Sequence, residues 1–512
     1  MTDAERIAQL ETELAARNEE SAQLKAENEL LRQKLDLLMR KVFGSSSEKL
    51  DPGQLELLLD PEAAKKTCAA GCEEDAPAAE PKQATPRASR RRRPTLPEEL
   101  EVVEEIVDPE EVLAQPGDWR QIGQELTERL EFEPATYWMR RTIRRTWVKR
   151  DDPGHAPLTA PMEPCLLEGS LLSASLAAQI LTAKFCDHQP FYRQQQQLAR
   201  QHGIGTGRNT LCHWADVCSQ HLEPLYKLLA ADLRTRPWVQ VDETPIAHLA
   251  PGHGRTKPGY FWTYAHPEVG VLYDWHVGRA HQCLDHILGG VDDDERFRGV
   301  LLSDGFAAYG TWQRKREGVT LAACWAHVRR KFFEAAEHHP KQAGAVLQWI
   351  AELFAIEQRL RNSRAGPAEV RQYRQSHSAP ILQKIHDHLR DLSCLPKSPL
   401  GRARSYTFGL WQQLRVFLDH GELPLDNNRV ENAIRPTKLG AKNWLFIGRA
   451  DTGQRSAILY TMIENIRNAG GDPFAYLKDV LTRLPGMTNQ DDLRPLLPRN
   501  WLAQQRSQSF AA

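Results

Sequence analysis

Trp238-Val239-Gln240-Val241-Asp242 is a short apolar run closed by a carboxylate. It reads as a buried strand that delivers an acid at its end. Leu301-Leu302-Ser303-Asp304 repeats the pattern. Between them, Gly259 to Tyr264 and Gly270 to Trp275 read as two more strands, and residues 280–288 as a helix. A helix from Gly305 and a strand from Val319 to Cys324 follow. Three consecutive strands, then alternating helix and strand, is the order of a ribonuclease-H-like α/β core, an analogy at the level of fold.

A third acid comes much later. Asn427 to Arg435 reads as a short polar helix carrying Glu431, and Arg435 lies one helical turn on, along the same face. Pro436 is expected to end or kink this helix and to aim Lys438 outward. Between the second and third acids, His327 to Leu395 has helical periodicity throughout, as in Val346, Ile350, Leu353, Ile356 and Leu360. This stretch reads as an all-helical insertion that lengthens the sequence gap between the acids without lengthening their distance in space.

Three carboxylates at strand ends and on a crossing helix suit phosphodiester chemistry. Magnesium takes oxygen ligands and retains waters. A pair of such ions activates the attacking oxygen and stabilises the leaving one. Each acid also has a plainer reading. Asp242 and Asp304 end strands, and Glu431 pairs with Arg435 on a surface. Asp426 is the main rival to Glu431, whereas Glu243 points to the opposite face from Asp242. Cys324 and His327 form a weak metal signal, read as packing or a hydrogen bond beside the site.

The rest of the chain reads as a multidomain α+β protein. Residues 1–48 are expected to form a coiled coil, with Ile7, Leu14, Leu35 and Val42 on one seam position and Leu10, Leu24, Leu31 and Leu38 on the other. Asn28 lies on the seam. Self-association follows from the repeat; one long helix packed on its own protein is the alternative. Residues 49–97 read as a linker, with a lone Cys68/Cys72 pair and an arginine run from Arg90 to Arg93. Residues 98–160 read as a small β-rich domain. Its first part, 98–112, holds eight acids and no base, while 136–150 holds six bases and no acid. Arg140, Arg141, Arg144 and Arg145 interleave with aromatics there, which suits either a nucleic-acid surface or a solvated basic face.

Residues 161–235 read as a helical DNA-binding region. Its centre, Pro190 to Trp214, has a helix with Arg193, a turn at Gly203, Gly205 and Gly207, and a second helix opening near Asn209, beside Arg208. That is a helix-turn-helix pattern, although two packed helices of any bundle look alike. Residues 236–326 form the first part of the core, 327–424 the insertion, 425–450 the completion with the third acid, and 451–512 a helical C-terminal region.

The net charge of −1 does not by itself announce nucleic acid. Nine scattered cysteines fit a reducing, cytoplasmic compartment. No apolar run is long enough for a membrane span, and the charged start is not a secretory signal.

Val241-Asp242-Glu243-Thr244, Ser303-Asp304-Gly305, Cys324-Trp325-Ala326-His327-Val328-Arg329-Arg330-Lys331-Phe332 and Asp426 to Pro436 resemble the large transposase of the insertion sequence 66 family. Phe43-Gly44, Ser46 to Lys49, Ile447-Gly448 and Asp472 to Leu477 extend the likeness over most of the chain. The resemblance implies a bacterial, nucleoid-associated DDE transposase that cuts transposon ends and joins them to target DNA. It implies Asp242, Asp304 and Glu431 as catalytic acids and ligands of two Mg2+ or Mn2+ ions. It implies Arg435 and Lys438 near DNA, and accessory proteins from the same element. Such transposases usually carry a cysteine-rich zinc segment. The matching stretch here, around Gln115 to Asp118, has no cysteines, so no zinc is expected. Two other readings stay open: a catalytically inactive coiled-coil DNA-binding regulator, and a nuclease or resolvase of the same fold.

Overall fold

The computed structural model describes residues 163–509 apart from Pro251, His253 and Asn489, together with Tyr137 and two short paired strands. These strands are β1 (Thr146–Trp147) and β2 (Leu158–Thr159), antiparallel to each other. All of this belongs to the unit spanning 131–512. The expected coiled coil, the linker and Arg140, Arg141, Arg144 and Arg145 lie outside the described residues.

A mixed sheet forms the centre. Its strands are β3 (Trp238–Leu249), β4 (Thr256–His266), β5 (Gly270–His276), β6 (Gly299–Ser303) and β7 (Val319–Ala323), in the order β5-β4-β3-β6-β7. β3, β4 and β5 are antiparallel neighbours, while β6 and β7 run parallel to β3. The short β8 (Ile447–Arg449) pairs with the far end of β3. β3 pairs with β6 over Trp238–Gln240, with β4 from Gln240 to Leu249, and with β8 at His248 and Leu249. Its opening residues Trp238, Val239, Gln240 and Val241 are all buried, as a central strand requires.

Helices cover both faces. Before the sheet come α1 (Ala174–Phe185), α2 (Phe191–His202) and α3 (Arg208–Arg234). Within it come α4 (Asp285–Leu288), after a turn of 3-10 helix, and α5 (Ala307–Gln313). The insertion comprises α6 (Trp325–Ala336), α7 (Pro340–Ser363), α8 (Pro367–Tyr373), α9 (Ala379–Asp391), α10 (Pro399–Gly409) and α11 (Trp411–Arg415). Then follow α12 (Asn428–Trp444), α13 (Gly453–Asn468), α14 (Pro473–Arg483) and α15 (Pro498–Ser509). No helix among the described residues is long and apolar enough to cross a membrane.

There are two hydrophobic clusters. One joins the sheet to α1, α3, α13 and α14. The other joins Trp238, Val300 and Leu302 to the insertion helices. In the second, the buried Arg374 makes a two-pronged bond to Glu357 at 2.8 and 2.7 Å and donates to the carbonyls of Phe417, His420 and Leu423. That fan of bonds ties α7 to the segment that returns the chain toward the third acid.

The outer edge of β5 is sealed by side chains rather than by another strand. Asn465 on α13 accepts from Val271 N–H at 2.8 Å and donates to Val271 carbonyl at 2.7 Å. Thr461 accepts from Tyr273 N–H at 3.0 Å, and Gln454 from Trp275 N–H at 2.9 Å. An edge strand exposes such groups at the risk of pairing with another chain, and α13 removes that risk. Gly270, at φ +112°, permits the approach, since a Cβ there would lie 1.9 Å from Asn465 Oδ1.

Asn465→Ala leaves two backbone groups of β5 unpaired. It is expected to destabilise the fold by about 1–3 kcal/mol in denaturant titration. A loss under about 0.5 kcal/mol would show that water replaces the amide.

Candidate active site

Asp242 lies within β3, which runs on to Leu249 rather than ending at the acid as expected, whereas Asp304 directly follows β6. β3 and β6 pair Trp238 with Val300 and Gln240 with Leu302. That pairing ends at Gln240 and Leu302, two residues before each acid, and the charge of Asp304 acts on Asp242. Asp242 Oδ1 accepts from Glu243 N–H at 2.8 Å. Asp304 Oδ1 accepts from Phe306 N–H at 2.8 Å, while its carbonyl takes the hydroxyl of Tyr406 at 2.6 Å. Gly305 turns between them at φ +85°, with Leu410 where a Cβ would stand. Tyr406 and Leu410 belong to the α10–α11 part of the insertion, so the insertion shapes the turn that presents the second acid.

Glu431 sits in the first turn of α12, where the helix dipole favours a carboxylate. The start of α12 is bound to β3 by one side chain. Gln240 Nε2 donates to Asp426 carbonyl at 2.8 Å, and Gln240 Oε1 accepts from Val430 N–H at 3.2 Å. Cys324 accepts from Asn427 N–H at 3.4 Å, adding a second tether at the end of β7.

The three acids share one field. Burial, and then the charges of Glu243, Asp304 and Glu431, push Asp242 up to about 8. Glu243 adds its charge to that field but makes its own bonds elsewhere. Its carboxylate is buried on the other face, bound by Arg279 Nε at 2.7 Å and by the hydroxyl of Tyr309. Asp426 is turned to a different purpose as well. Its Oδ1 accepts from Asn428 N–H at 3.0 Å, and it lines a cavity with Glu357 and Arg361.

His327 is the residue that sequence reasoning undervalued. Its Nε2 lies 3.5 Å from Glu431 Oε1, and Arg330 Nη2 lies 3.5 Å from Oε2. Ligand atoms of Cys324, His327 and Glu431 fall within 4.8 Å of one another. Burial holds His327 below the usual imidazole range, so its ring is neutral at pH 7. Burial pushes the Cys324 thiol up to about 12, which keeps it a packing group. The legible signal was the spacing: His327 lies one turn into the helix that leaves β7.

Of the other predicted residues, Arg435 is exposed on α12. Lys438 Nζ donates to Pro245 carbonyl at 2.6 Å, binding α12 to β3. Pro436 does not end the helix, which continues to Trp444. Buried Val430, Ala433, Thr437 and Gly440 hold it against the sheet, and Tyr273 donates to Ala433 carbonyl at 2.6 Å. This packing outweighs the one hydrogen bond that proline removes. Glu431 meets His327 and Arg330, not Arg435 as its plainer reading as a surface pair had it. Arg193 on α2 donates to Asn443 at the other end of α12, at 3.4 Å. Arg208 is exposed at the start of α3, whose later turns are buried in the core.

Residues 169–455 match the model of the family described as Transposase IS66 family. The chain belongs to the IS66 transposase family. Residues 30–104 also match a model described as Transposase C of IS166 homeodomain. Relatives are similar over nearly the whole length. Uncharacterized protein y4jD of Sinorhizobium fredii is 33% identical over 94% of this chain and 96% of its own. Uncharacterized protein y4qI of the same organism is 30% identical over 81% of this chain and 78% of its own. A transposase family points to a protein that acts on DNA, and to use of a divalent metal.

The residues here fit such a metal. Glu431 Oε1, His327 Nδ1 and both side-chain polar atoms of Asn427 are buried without a hydrogen-bond partner. Carboxylates such as Asp242 and Glu431 offer the oxygen donors that a hard cation takes.

Two outcomes follow. Gln240→Leu keeps the volume and strips both bonds to the start of α12. It is expected to cost about 1–3 kcal/mol in urea unfolding. The second concerns Asp242. An unfolded aspartate ionises near 4, so between there and about 8 the folded chain keeps a proton that the unfolded chain has lost. Stability therefore falls as pH rises through that window. In the presence of a chelator, the urea midpoint of the wild type should drop relative to that of Asp242→Asn. Parallel profiles from about pH 5 to about pH 8 would contradict the shift.

Proposed function

We propose that this chain is a DDE transposase that binds transposon ends, cleaves DNA in a metal-dependent reaction and joins the cut end to target DNA. The single observation that carries the reading is the Gln240 amide, which bonds the start of α12, where Glu431 sits, to β3 two residues before Asp242. The strand order β5-β4-β3-β6-β7, with β3 to β5 antiparallel and β6 and β7 parallel, supports a ribonuclease-H-like core. In such a core the first and fourth strands present acids side by side, as β3 and β6 do with Asp242 and Asp304.

Asp242, Asp304 and Glu431 are the residues that would hold two Mg2+ or Mn2+ ions. When bound, such ions activate the attacking oxygen and offset charge on the leaving one. The chain's own residues do the positioning. β3 and β6 fix the two aspartates on rigid backbone, and Gln240 fixes the approach of Glu431. His327 faces Glu431 at 3.5 Å, and burial holds its imidazole below the usual range. Arg330 faces the same carboxylate and, at 60% side-chain exposure, reaches solvent where a DNA phosphate would lie.

DNA contact is assigned to Arg435 and Lys438 on α12, to Arg193 and Arg208 flanking the turn between α2 and α3, and to Arg140, Arg141, Arg144 and Arg145. Self-association is assigned to the heptads of residues 1–48, and accessory proteins of the element remain part of the proposal. The bond between Arg193 and Asn443 supports one rigid path from the α2 surface to the acid-bearing helix.

The test uses a precut duplex bearing the terminal repeat of the chain's own element, a target plasmid, and Mg2+ or Mn2+. Wild-type protein should yield joined product. Asp242→Asn, Asp304→Asn and Glu431→Gln should each lose at least about 100-fold in joining while still shifting the end duplex in a gel. Full joining by any of the three would overturn the assignment. Binding without cleavage or joining by the wild type would indicate the DNA-binding regulator. Cleavage without joining would indicate a nuclease.

A further inference from the structure

A second cluster of ligand atoms lies on the other face of the sheet. Paired residues of an antiparallel ladder share a face. Glu243 pairs with Trp262, and Trp262 with Asp274. Asp242 pairs with Thr263, and Thr263 with Tyr273. Asp274 is therefore turned away from the face that carries Asp242, and it lies two strands across.

Asp274 is fully buried. His276 follows two residues later on the same face of β5, and His286 comes from α4. His276 Nε2 stands 2.7 Å from Asp274 Oδ2, and His286 Nδ1 stands 2.7 Å from Oδ1. The rings are nearly perpendicular, at 87° with centroids 6.0 Å apart. One ligand atom from each residue lies within 4.8 Å of the other two. Among the described residues, these two imidazoles are the ion-pair partners of Asp274. A carboxylate so buried needs a positive charge close by. Either the imidazoles carry protons or a cation replaces those protons.

We propose that Asp274, His276 and His286 bind one first-row divalent cation of the zinc class. Two imidazole nitrogens and one carboxylate oxygen are a borderline donor set that suits zinc and disfavours magnesium. Three protein ligands leave a fourth position for water. The hydroxyl of Tyr226 lies 3.3 Å from Oδ1, an outer contact of the kind that orients a metal-binding carboxylate. The side chains of His276 and His286 are 26% and 53% exposed, so an ion reaches the buried oxygen from solvent. Cys283 beside His276 and Arg234 near His286 complete the charged and polar surroundings. The ion would staple the end of β5 to α4 across the 277–285 segment. This site is separate from the acids of the opposite face.

The test measures zinc retained by full-length protein after stripping with EDTA and dialysis against buffered Zn2+. Wild type should retain one zinc per chain that His276→Gln/His286→Gln does not, with affinity lowered by at least about tenfold. Glu431→Gln/His327→Gln and Cys68→Ser/Cys72→Ser should retain it, which separates this site from the other clusters. Zn2+ should raise the melting temperature of the wild type but not that of His286→Ala, the half-exposed single change that carries the test if the double variant does not fold. No zinc on the wild type, or equal zinc on wild type and His286→Ala, would overturn the proposal and leave a hydrogen-bonded Asp–His pair of contacts.

Discussion

The side chain of Gln240 is the joint on which the acid site turns. A central strand spends its backbone groups on its neighbours, so it holds a crossing helix only through side chains. Gln240 uses both ends of its amide for this, donating to Asp426 carbonyl and accepting from Val430 N–H. It lies two residues before Asp242, on the same face of β3. One amide thus relates the first acid to the third across a sequence gap that includes the whole insertion. Lys438 and Pro245 repeat the link further along the same strand and helix.

That joint works against electrostatics. Burial, and then the charges of Glu243, Asp304 and Glu431, make ionisation of Asp242 costly, and the surrounding contacts hold the arrangement in place. Tyr406 binds the backbone of Asp304, Asn427 is tethered by Cys324, and the Arg374 fan fixes the segment before Asp426. The stability of the fold is thus spent on a charge cluster that favours protons or cations.

The insertion has more than one role. Its helices form a hydrophobic cluster with the ends of β3 and β6. Its first helix, α6, supplies His327 and Arg330 to Glu431, and its later part supplies Tyr406 and Leu410 to the Asp304 turn. It therefore acts as the outer wall of the site. The opposite edge of the sheet is finished by α13, whose polar side chains take the place of a further strand.

Much of this was legible in the chain itself. Apolar runs closed by acids announced β3 and β6, although β3 does not end at Asp242 but runs on to Leu249 through its pairing with β4. The strands after Asp242 and the helical run after His327 were equally plain, since periodicity is local. Partners across long stretches of sequence were not legible. Nothing near Glu431 says that it meets His327 and Arg330 rather than Arg435, because helix crossing, not helix spacing, sets that contact. Pro436 signals a helix end locally, yet packing on β3 and β4 carries α12 through it. Asp274, His276 and His286 looked like ordinary strand and helix residues until antiparallel pairing and a short helix turned them toward one another. The sequence by itself determined which segments become strands and helices and which of them carry acids. Only the tertiary structure decided which side chains share a charge, because that depends on burial and on distances between residues far apart in the chain.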